Sequence, residues 1–91
     1  MKILTINIKR KYFDQMKNGE KKEEYRLITK YWIDRLENKE YDFIRFQNGY
    51  NRNSEKFIIE YLGVVKKEIK HEFFGNKTVQ VFAIQLGDVK G

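Results

Sequence analysis

The segment Thr78-Val-Gln-Val-Phe-Ala-Ile-Gln-Leu86 has the cleanest two-residue alternation in the chain. Successive side chains of a strand point to opposite faces, so the segment divides into two sets. One set is Thr78, Gln80, Phe82, Ile84 and Leu86, and the opposite set is Val79, Val81 and Ala83. The pattern predicts a β-strand over this segment, and the other elements are assigned outward from it.

Four further segments have the composition of strands. They are Lys2–Ile8, Lys22–Ile28, Tyr41–Phe46 and Lys56–Val65. Gly63 interrupts the last of these, which predicts a bulge or a bend. Asn48-Gly49 predicts a turn, because both residues tolerate positive φ. The pattern over Lys66–Phe74 does not decide between helix and strand, but we expect His71 to be exposed and Phe73-Phe74 to anchor the core.

Two short helices are predicted in the N-terminal half of the chain. The spaced apolar residues of the first are Tyr12, Phe13 and Met16. Asn18-Gly19 then supplies a C-terminal stop. The second helix is Tyr31–Leu36, in which we expect Tyr31 and Trp32 to serve helix packing rather than to form a binding platform. About five strands and two helices describe an α+β domain, built on a small curled sheet or barrel.

Length and composition limit the class of protein. The chain has 91 residues, 41% of them hydrophobic and 15% aromatic, which fits one packed domain over residues 1–91. The sequence has no Cys and one His, so disulfides and thiolate metal sites are excluded, and we expect no metal and no cofactor. The lack of disulfides and of a signal peptide predicts a cytoplasmic protein. No apolar run is long enough to span a membrane, and nothing indicates an oligomeric state.

The net charge of +6 is distributed unevenly. Residues 1–22 carry seven Lys or Arg against two acids, residues 23–60 carry seven against eight, and residues 61–91 carry five against three. The basic residues of the first block are Lys2, Lys9, Arg10, Lys11, Lys17, Lys21 and Lys22. A clustered basic surface suits a polyanion, because bound cations displace condensed counterions from phosphates. A lysine-rich surface without a specific function has the same composition.

The most highly charged segment is Gly19-Glu-Lys-Lys-Glu-Glu-Tyr-Arg26. Strict alternation places Tyr25 and Leu27 on one face, which we expect to be the core, and Lys22, Glu24, Arg26 and Ile28 on the other. Lys21 joins the second group only if the chain bends after Gly19. An arginine held by a carboxylate is well placed to fork onto a phosphate or a base edge. The alternative is a solvated strand with internal ion pairs.

Three segments resemble the motifs of the ASCH domain family. Tyr12-Phe-Asp-Gln-Met-Lys-Asn-Gly-Glu-Lys-Lys-Glu-Glu-Tyr-Arg26 is similar to the helix, G-x-K and T-x-E-x-R opening of that family. Phe43-Ile-Arg-Phe-Gln-Asn-Gly-Tyr50 resembles the F-x-N-G-Y element of small ASCH proteins common in phages and Gram-positive bacteria. Phe82-Ala-Ile-Gln-Leu-Gly87 is similar to their last strand. The resemblance covers nearly the whole chain.

The resemblance implies a PUA-like β-barrel with two or three short flanking helices and a cleft that binds RNA. One branch of the family hydrolyses the acetyl amide of N4-acetylcytidine with a lysine of the G-x-K element and a threonine, and another branch cleaves RNA. The lysine corresponds to Lys21, but Glu24 stands at the threonine position. A carboxylate cannot replace a hydroxyl nucleophile without a change of chemistry. No segment matches the helical insertion that carries the branch's catalytic glutamate.

The resulting prediction is a nucleic-acid-binding domain whose partner is RNA or a nucleoside. We expect Lys21 to contact a phosphate or a carbonyl group of the ligand. We expect Glu24 to act as an orienting group or as a base, and Arg26 to be a cation held in a fixed position. Lys22, Asn48 and Tyr50 complete the predicted contacts, with Tyr50 either stacked on a base or packed on the barrel. One alternative is a small hydrolase of modified nucleosides or RNA, with Lys21 and Glu24 catalytic. A second is a phage or mobile-element protein that binds a host protein through the basic face.

Overall fold

The computed structural model describes the backbone of residues 1–91 and every side chain except that of Phe73. The strand predicted from the alternation, β5 (Thr78–Val89), pairs on one side with β4 (Lys56–Lys70) and on the other with β2 (Glu23–Leu27). Four consecutive residues of β5, from position 81 to position 84, are buried, and the strand has neighbours on both edges.

The sheet has five strands in the order β1-β3-β4-β5-β2. The two elements not yet named are β1 (Ile3–Ile8) and β3 (Phe43–Asn48), which pair in parallel, whereas all other neighbours are antiparallel. A parallel pair needs a crossover connection. Here that connection contains α1 (Arg10–Lys17), β2 and α2 (Lys30–Leu36). The predicted α+β class and the five-stranded sheet with two helices are confirmed.

The core lies between the inner face of the sheet and the two helices. Phe13 and Met16 of α1 are fully buried, as the helical spacing predicted. The rings of Phe13 and Phe57 pack edge to face with their centroids 5.0 Å apart, and the centroids of the Phe57 and Phe46 rings are 5.5 Å apart. These contacts fix α1 on the sheet. Phe74 is half-buried, and the side chain of Phe73, also expected to anchor the core, lies outside the described residues.

The bulge predicted at Gly63 is present. The register of β4 against β5 shifts on either side of Tyr61, and Gly63 has a φ of +110°. The bulge bends a strand of 15 residues, in which residues 56–60 pair with β3 and residues between 59 and 70 pair with β5. The undecided stretch continues β4 to Lys70 and then forms a 3₁₀ turn at Glu72–Phe74.

Closure of the sheet into a barrel is not confirmed. The strands β1 and β2 are the two edges of the sheet, and no backbone ladder joins them in the described chain. The sheet nevertheless curls, because the Arg26 Nη2 atom on β2 donates a hydrogen bond to the backbone oxygen of Asn7 on β1 at 3.4 Å. An open gap therefore remains between two edges that face each other. No helix of the described chain is long and apolar enough to cross a membrane.

The prediction that Tyr25 and Leu27 face the core was wrong. Leu27 is 43% exposed, whereas Glu24 is only 5% exposed. Opposed residues of an antiparallel pair share a face of the sheet. Glu24 lies opposite the buried Ile84 in the ladder, so its side chain is on the core side. The inner face of β2 is thus charged at the point where it borders the gap.

The end of α1 determines where the next segment goes. Gly19 has a φ of +76°, and its N–H donates to Met16 O at 3.1 Å, while the Glu20 N–H donates to Gln15 O at 2.9 Å. This pair of bonds is a Schellman motif, which reverses the chain after a helix. The bend after Gly19, which was the condition for Lys21 to join the face of Glu24 and Arg26, is therefore present. Lys21 turns back toward β2.

We predict that Gly19→Ala lowers the free energy of unfolding by about 1 kcal/mol, because alanine is strained in the left-handed conformation. No atom lies within 4 Å of the added methyl group, so steric overlap does not contribute. Gly19→Asn is the matched control, since asparagine tolerates this conformation better. Urea denaturation of the three proteins measures the effect. Equal losses in the Ala and Asn variants would contradict it.

Candidate functional site

A cleft of about 530 Å³ lies in the gap between the two edge strands. Its lining comes from β1, β2, the start and middle of the helices, the turn after β3 and the connection between β4 and β5. Segments that are far apart in sequence therefore share one concave surface. The volume is in the range of sites that enclose a small organic molecule or one unit of a polymer.

The floor of the cleft carries a charged triad of Lys21, Glu24 and Arg26. The Lys21 Nζ atom donates to Glu24 Oε1 at 3.1 Å, and Arg26 Nη2 donates to Glu24 Oε2 at 2.5 Å. The side chain of Glu24 is 7% exposed, whereas those of Lys21 and Arg26 are 18% and 23% exposed. A buried carboxylate needs charged partners. Here the two cations provide them and still reach the cleft.

Aromatic rings hold both cations of the triad. Lys21 Nζ lies 5.1 Å from the centre of the Tyr12 ring and 5.3 Å from that of Tyr25. The Arg26 guanidinium lies 5.0 Å from the centre of the Trp32 ring. Trp32 also packs against the core, as expected, but it forms a wall of the cleft in addition. The cations are thus fixed by cation–π contacts as well as by Glu24.

The turn after β3 brings two further predicted residues to the mouth of the cleft. Asn48 ends β3, and Gly49 follows with a φ of +93°, so the predicted turn is present. Asn48 and Tyr50 both line the cleft. Tyr50 is 88% exposed, which contradicts the interpretation that it packs on the sheet. Lys22, by contrast, is exposed and lies outside the cleft lining.

Several cleft residues were not found by sequence reasoning. His71 was expected to be exposed, but it is half-buried, and its ring lies 6.0 Å from Tyr25 and 6.4 Å from Tyr12 and from Phe74. The chain returns at this point to cover α1, which no local pattern indicated. Asn7 was assigned only to a strand. Its position at the end of an edge strand becomes visible only once the strand order is known.

Two polar atoms at the cleft have no protein partner. They are Asn7 Oδ1 and Arg26 Nε, both shielded by the surrounding protein. Buried polar atoms are almost always hydrogen-bonded, and an unpaired one costs about 1–3 kcal/mol. One is an acceptor and the other a donor, and they belong to residues already joined by the bond between β2 and β1.

A second cluster lies on the opposite face of β2. Glu23 accepts hydrogen bonds from Lys67 Nζ at 2.5 Å, Gln85 Nε2 at 2.7 Å and the Tyr25 hydroxyl at 2.7 Å. The bond from Lys67, which outweighs the effect of burial, lowers the pKa of Glu23 to about 2, with help from Gln85 and Tyr25. Burial and then the bond to Glu23 raise the pKa of Tyr25 to about 12. Glu23 therefore fixes the tyrosine that contacts Lys21.

Much of the N-terminal basic block is ion-paired. Arg10 donates to Glu55 at 2.7 Å, Lys17 lies 3.7 Å from the same carboxylate, and Lys11 donates to Glu72 at 2.8 Å. The pKa of Glu55 is lowered by its hydrogen bond with Arg10. These pairs are exposed and contribute little to stability. They do reduce the positive charge that the helix surface presents to a polyanion.

Comparison of the chain with protein-family models, with curated proteins and with solved structures finds no match. Within the described part of the chain, no three His, Cys, Asp or Glu residues come together in a group that could hold a metal ion. The side chains of the cleft supply three cations (Lys9, Lys21 and Arg26), a bridging carboxylate and aromatic walls.

We predict that Glu23 makes stability depend on pH in acid. Its carboxyl has a pKa near 4.5 when unfolded and about 2 when folded, so its contribution is complete above 4.5 and is lost as pH falls toward 2. Allowing for screening of the partly exposed Lys67, the contribution is about 1–2 kcal/mol. Denaturation of the unmodified protein and of Glu23→Gln, at neutral and acidic pH, isolates it from the other carboxylates. Equal losses on acidification in both proteins would refute the assignment.

Proposed function

We propose that the protein is an RNA-binding domain of the ASCH type, in the PUA-like superfamily, and that its cleft holds one nucleotide unit. The proposal rests on one observation, which is that a single cleft is lined by Lys21, Glu24, Arg26, Asn48 and Tyr50. They come from the segments whose motifs resemble that family. In this proposal the five strands correspond to the PUA-like barrel, with the gap between its edge strands as the ligand site.

The chemistry of the walls supports a nucleotide as the ligand. A base is planar and can be sandwiched or flanked by aromatic rings, which the cleft supplies through Tyr12, Tyr25 and Trp32. Its edge carries donors and acceptors, and the cleft lining includes the Asn7 amide and the Arg26 guanidinium, which are groups of the kind that pair with them. Single-stranded nucleic acids are recognised in this way, by stacking together with hydrogen bonds to base edges.

The charges of the lining support a phosphate on the same ligand. Lys9, Lys21 and Arg26 line the cleft against the single carboxylate of Glu24, so the lining has an excess of positive charge. Arginine is suited to bidentate contact with a phosphate, and lysine acts as a point charge. Because Arg26 is held by Glu24 and Trp32, little side-chain entropy is lost when it binds.

We predict that the protein binds single-stranded RNA with an affinity that decreases with salt. If two or three phosphates are contacted, the affinity falls roughly tenfold between about 50 and about 200 mM salt, because about 0.7 counterions are released per phosphate. Fluorescence anisotropy of a labelled RNA of mixed sequence measures this dependence. Absence of binding at the lower salt concentration would contradict the proposed function.

We further predict that Arg26→Ala weakens RNA binding by about 1–3 kcal/mol, because a positioned forked contact is lost. Arg26→Lys should recover only part of the loss, since lysine keeps the charge but not the planar fork. Lys90→Ala, a change outside the cleft lining, is the matched control for bulk charge. Circular dichroism checks that each variant is folded. Equal losses in Arg26→Ala and Lys90→Ala would mean that the cleft is not the binding site.

Hydrolysis of the amide of a modified nucleoside is a second candidate, favoured by the 3.1 Å contact between Lys21 and the shielded Glu24. Glu24 would take a proton from water as the water oxygen adds to the amide carbonyl, and the Lys21 ammonium would stabilise the oxyanion. Collapse of the adduct breaks the C–N bond and returns the proton to the leaving amine. For N4-acetylcytidine the products are cytidine and acetate.

This hypothesis predicts release of cytidine from N4-acetylcytidine that is lost in both Lys21→Ala and Glu24→Gln. Chromatography of the reaction mixture follows the product. Lys22→Ala, which changes a lysine beside the cleft but outside its lining, should retain the activity. Binding of the nucleoside without turnover would remove the hydrolase candidate. The same variants, incubated with unmodified RNA, test cleavage of the phosphodiester chain.

A further inference from the structure

Tyr50 differs from the other aromatic residues of the cleft in its exposure. Tyr12, Tyr25, Trp32 and Phe74 are each half-buried, whereas 88% of the surface of Tyr50 is open to solvent. Burial of a tyrosine ring is favourable, so a ring left this open contributes little to the fold. It stands at the mouth of the cleft, on the turn that follows β3. The ring is available to a ligand that extends beyond the cleft.

The turn that carries Tyr50 is held by a specific side chain. Gln47 Nε2 donates to the backbone oxygens of Gly49 at 2.9 Å and Asn51 at 3.2 Å, the residues on either side of Tyr50. Asn51 stabilises the same turn further, because its Oδ1 atom accepts from the Asn53 N–H at 2.9 Å. The exposed Tyr50 ring therefore projects from a backbone segment that side-chain hydrogen bonds hold in place. This arrangement lowers the entropy lost when a ligand contacts the ring.

The space inside the cleft sets the size of the unit that enters it. About 530 Å³ is sufficient for one nucleotide, and the triad closes the floor. A free nucleoside would be enclosed by the inner walls and would have no need of a ring at the mouth. A chain of two nucleotides would place its second base outside the cleft, where Tyr50 lies.

We propose that the ligand of this cleft is an oligonucleotide of at least two units, with one base enclosed and the adjacent base stacked on Tyr50. The inference rests on the proposed function and adds a second base subsite, formed by Tyr50 at the mouth of the cleft. Gln47 is a positioning residue, which acts by holding the backbone on both sides of Tyr50. Base–aromatic stacking strengthens binding by roughly 5- to 150-fold per base.

The test compares three ligands on the same protein: a nucleoside 5′-monophosphate, the corresponding 5′-phosphorylated dinucleotide, and the same dinucleotide with an abasic second unit. The abasic compound carries both phosphates, so it separates stacking from charge. Isothermal titration calorimetry, repeated with ligands that carry each of the four bases, gives the affinities. We expect the dinucleotide to bind about tenfold more tightly than either of the other two ligands.

Substitutions then locate the second subsite. Tyr50→Ala should remove the advantage of the dinucleotide over its abasic analogue, and Tyr50→Phe should keep it, because the ring provides the stacking surface. Gln47→Met keeps the length of the side chain but not the donor, and it should reduce the same ratio in part. A merely structural role for Gln47 would lower the affinities of all three ligands by one factor and leave the ratio unchanged.

The outcomes separate this inference from the function on which it rests. Equal affinity for the mononucleotide and the dinucleotide would overturn the second subsite and leave the RNA-binding cleft in place. A dinucleotide advantage that persists in Tyr50→Ala would overturn the role of Tyr50. Failure of all three ligands and of long RNA to bind would overturn the proposed function and this inference together.

Discussion

The cleft depends on one buried carboxylate. Glu24 lies on the inner face of an edge strand, where an unpaired charge would cost several kcal/mol, and it is stabilised there by Lys21 and Arg26. Arg26 also donates to the backbone of Asn7 on the opposite edge and lies over Trp32 of α2. One ion-pair network therefore connects both edges of the sheet to a helix. It also keeps the gap between the edges polar, so that the gap does not close as an apolar core.

The distribution of ion pairs indicates where specificity resides. The cations on the outer surface of α1 are paired with Glu55 and Glu72 in exposed contacts, which water and salt readily exchange. The cations of the cleft are fixed by a shielded carboxylate and by aromatic rings, and they keep their orientation without a ligand. In the proposed function the basic outer surface attracts the RNA at long range, while the cleft holds the groups that contact the RNA in fixed positions. The preorganised cations are the part that can distinguish a nucleotide from any other polyanion.

Much of the fold was predictable because local patterns decide it. The alternation of β5, the helical stop at Gly19 and the bulge at Gly63 each follow from the conformations that the residues allow. The inner face of β2 was not predictable, since Leu27 is apolar and Glu24 is charged, and only the pairing with β5 reverses that order. His71 and Asn7 reach the cleft through tertiary contacts that leave no local signal. The open gap in place of a closed barrel likewise depends on the angle between distant edges.

An NMR titration tests whether the cleft between β1 and β2 is the ligand site. The Arg26 guanidinium lines the cleft, so the resonance of its Nε–H group should respond to a ligand that contacts the guanidinium. On addition of a short single-stranded RNA at moderate salt, we expect shifts of the Arg26 Nε–H and of the Tyr50 amide resonances. The Lys66 and Lys90 amides, outside the cleft lining, should not shift. Shifts concentrated on those lysines, with Arg26 unaffected, would mean that the RNA binds outside the cleft.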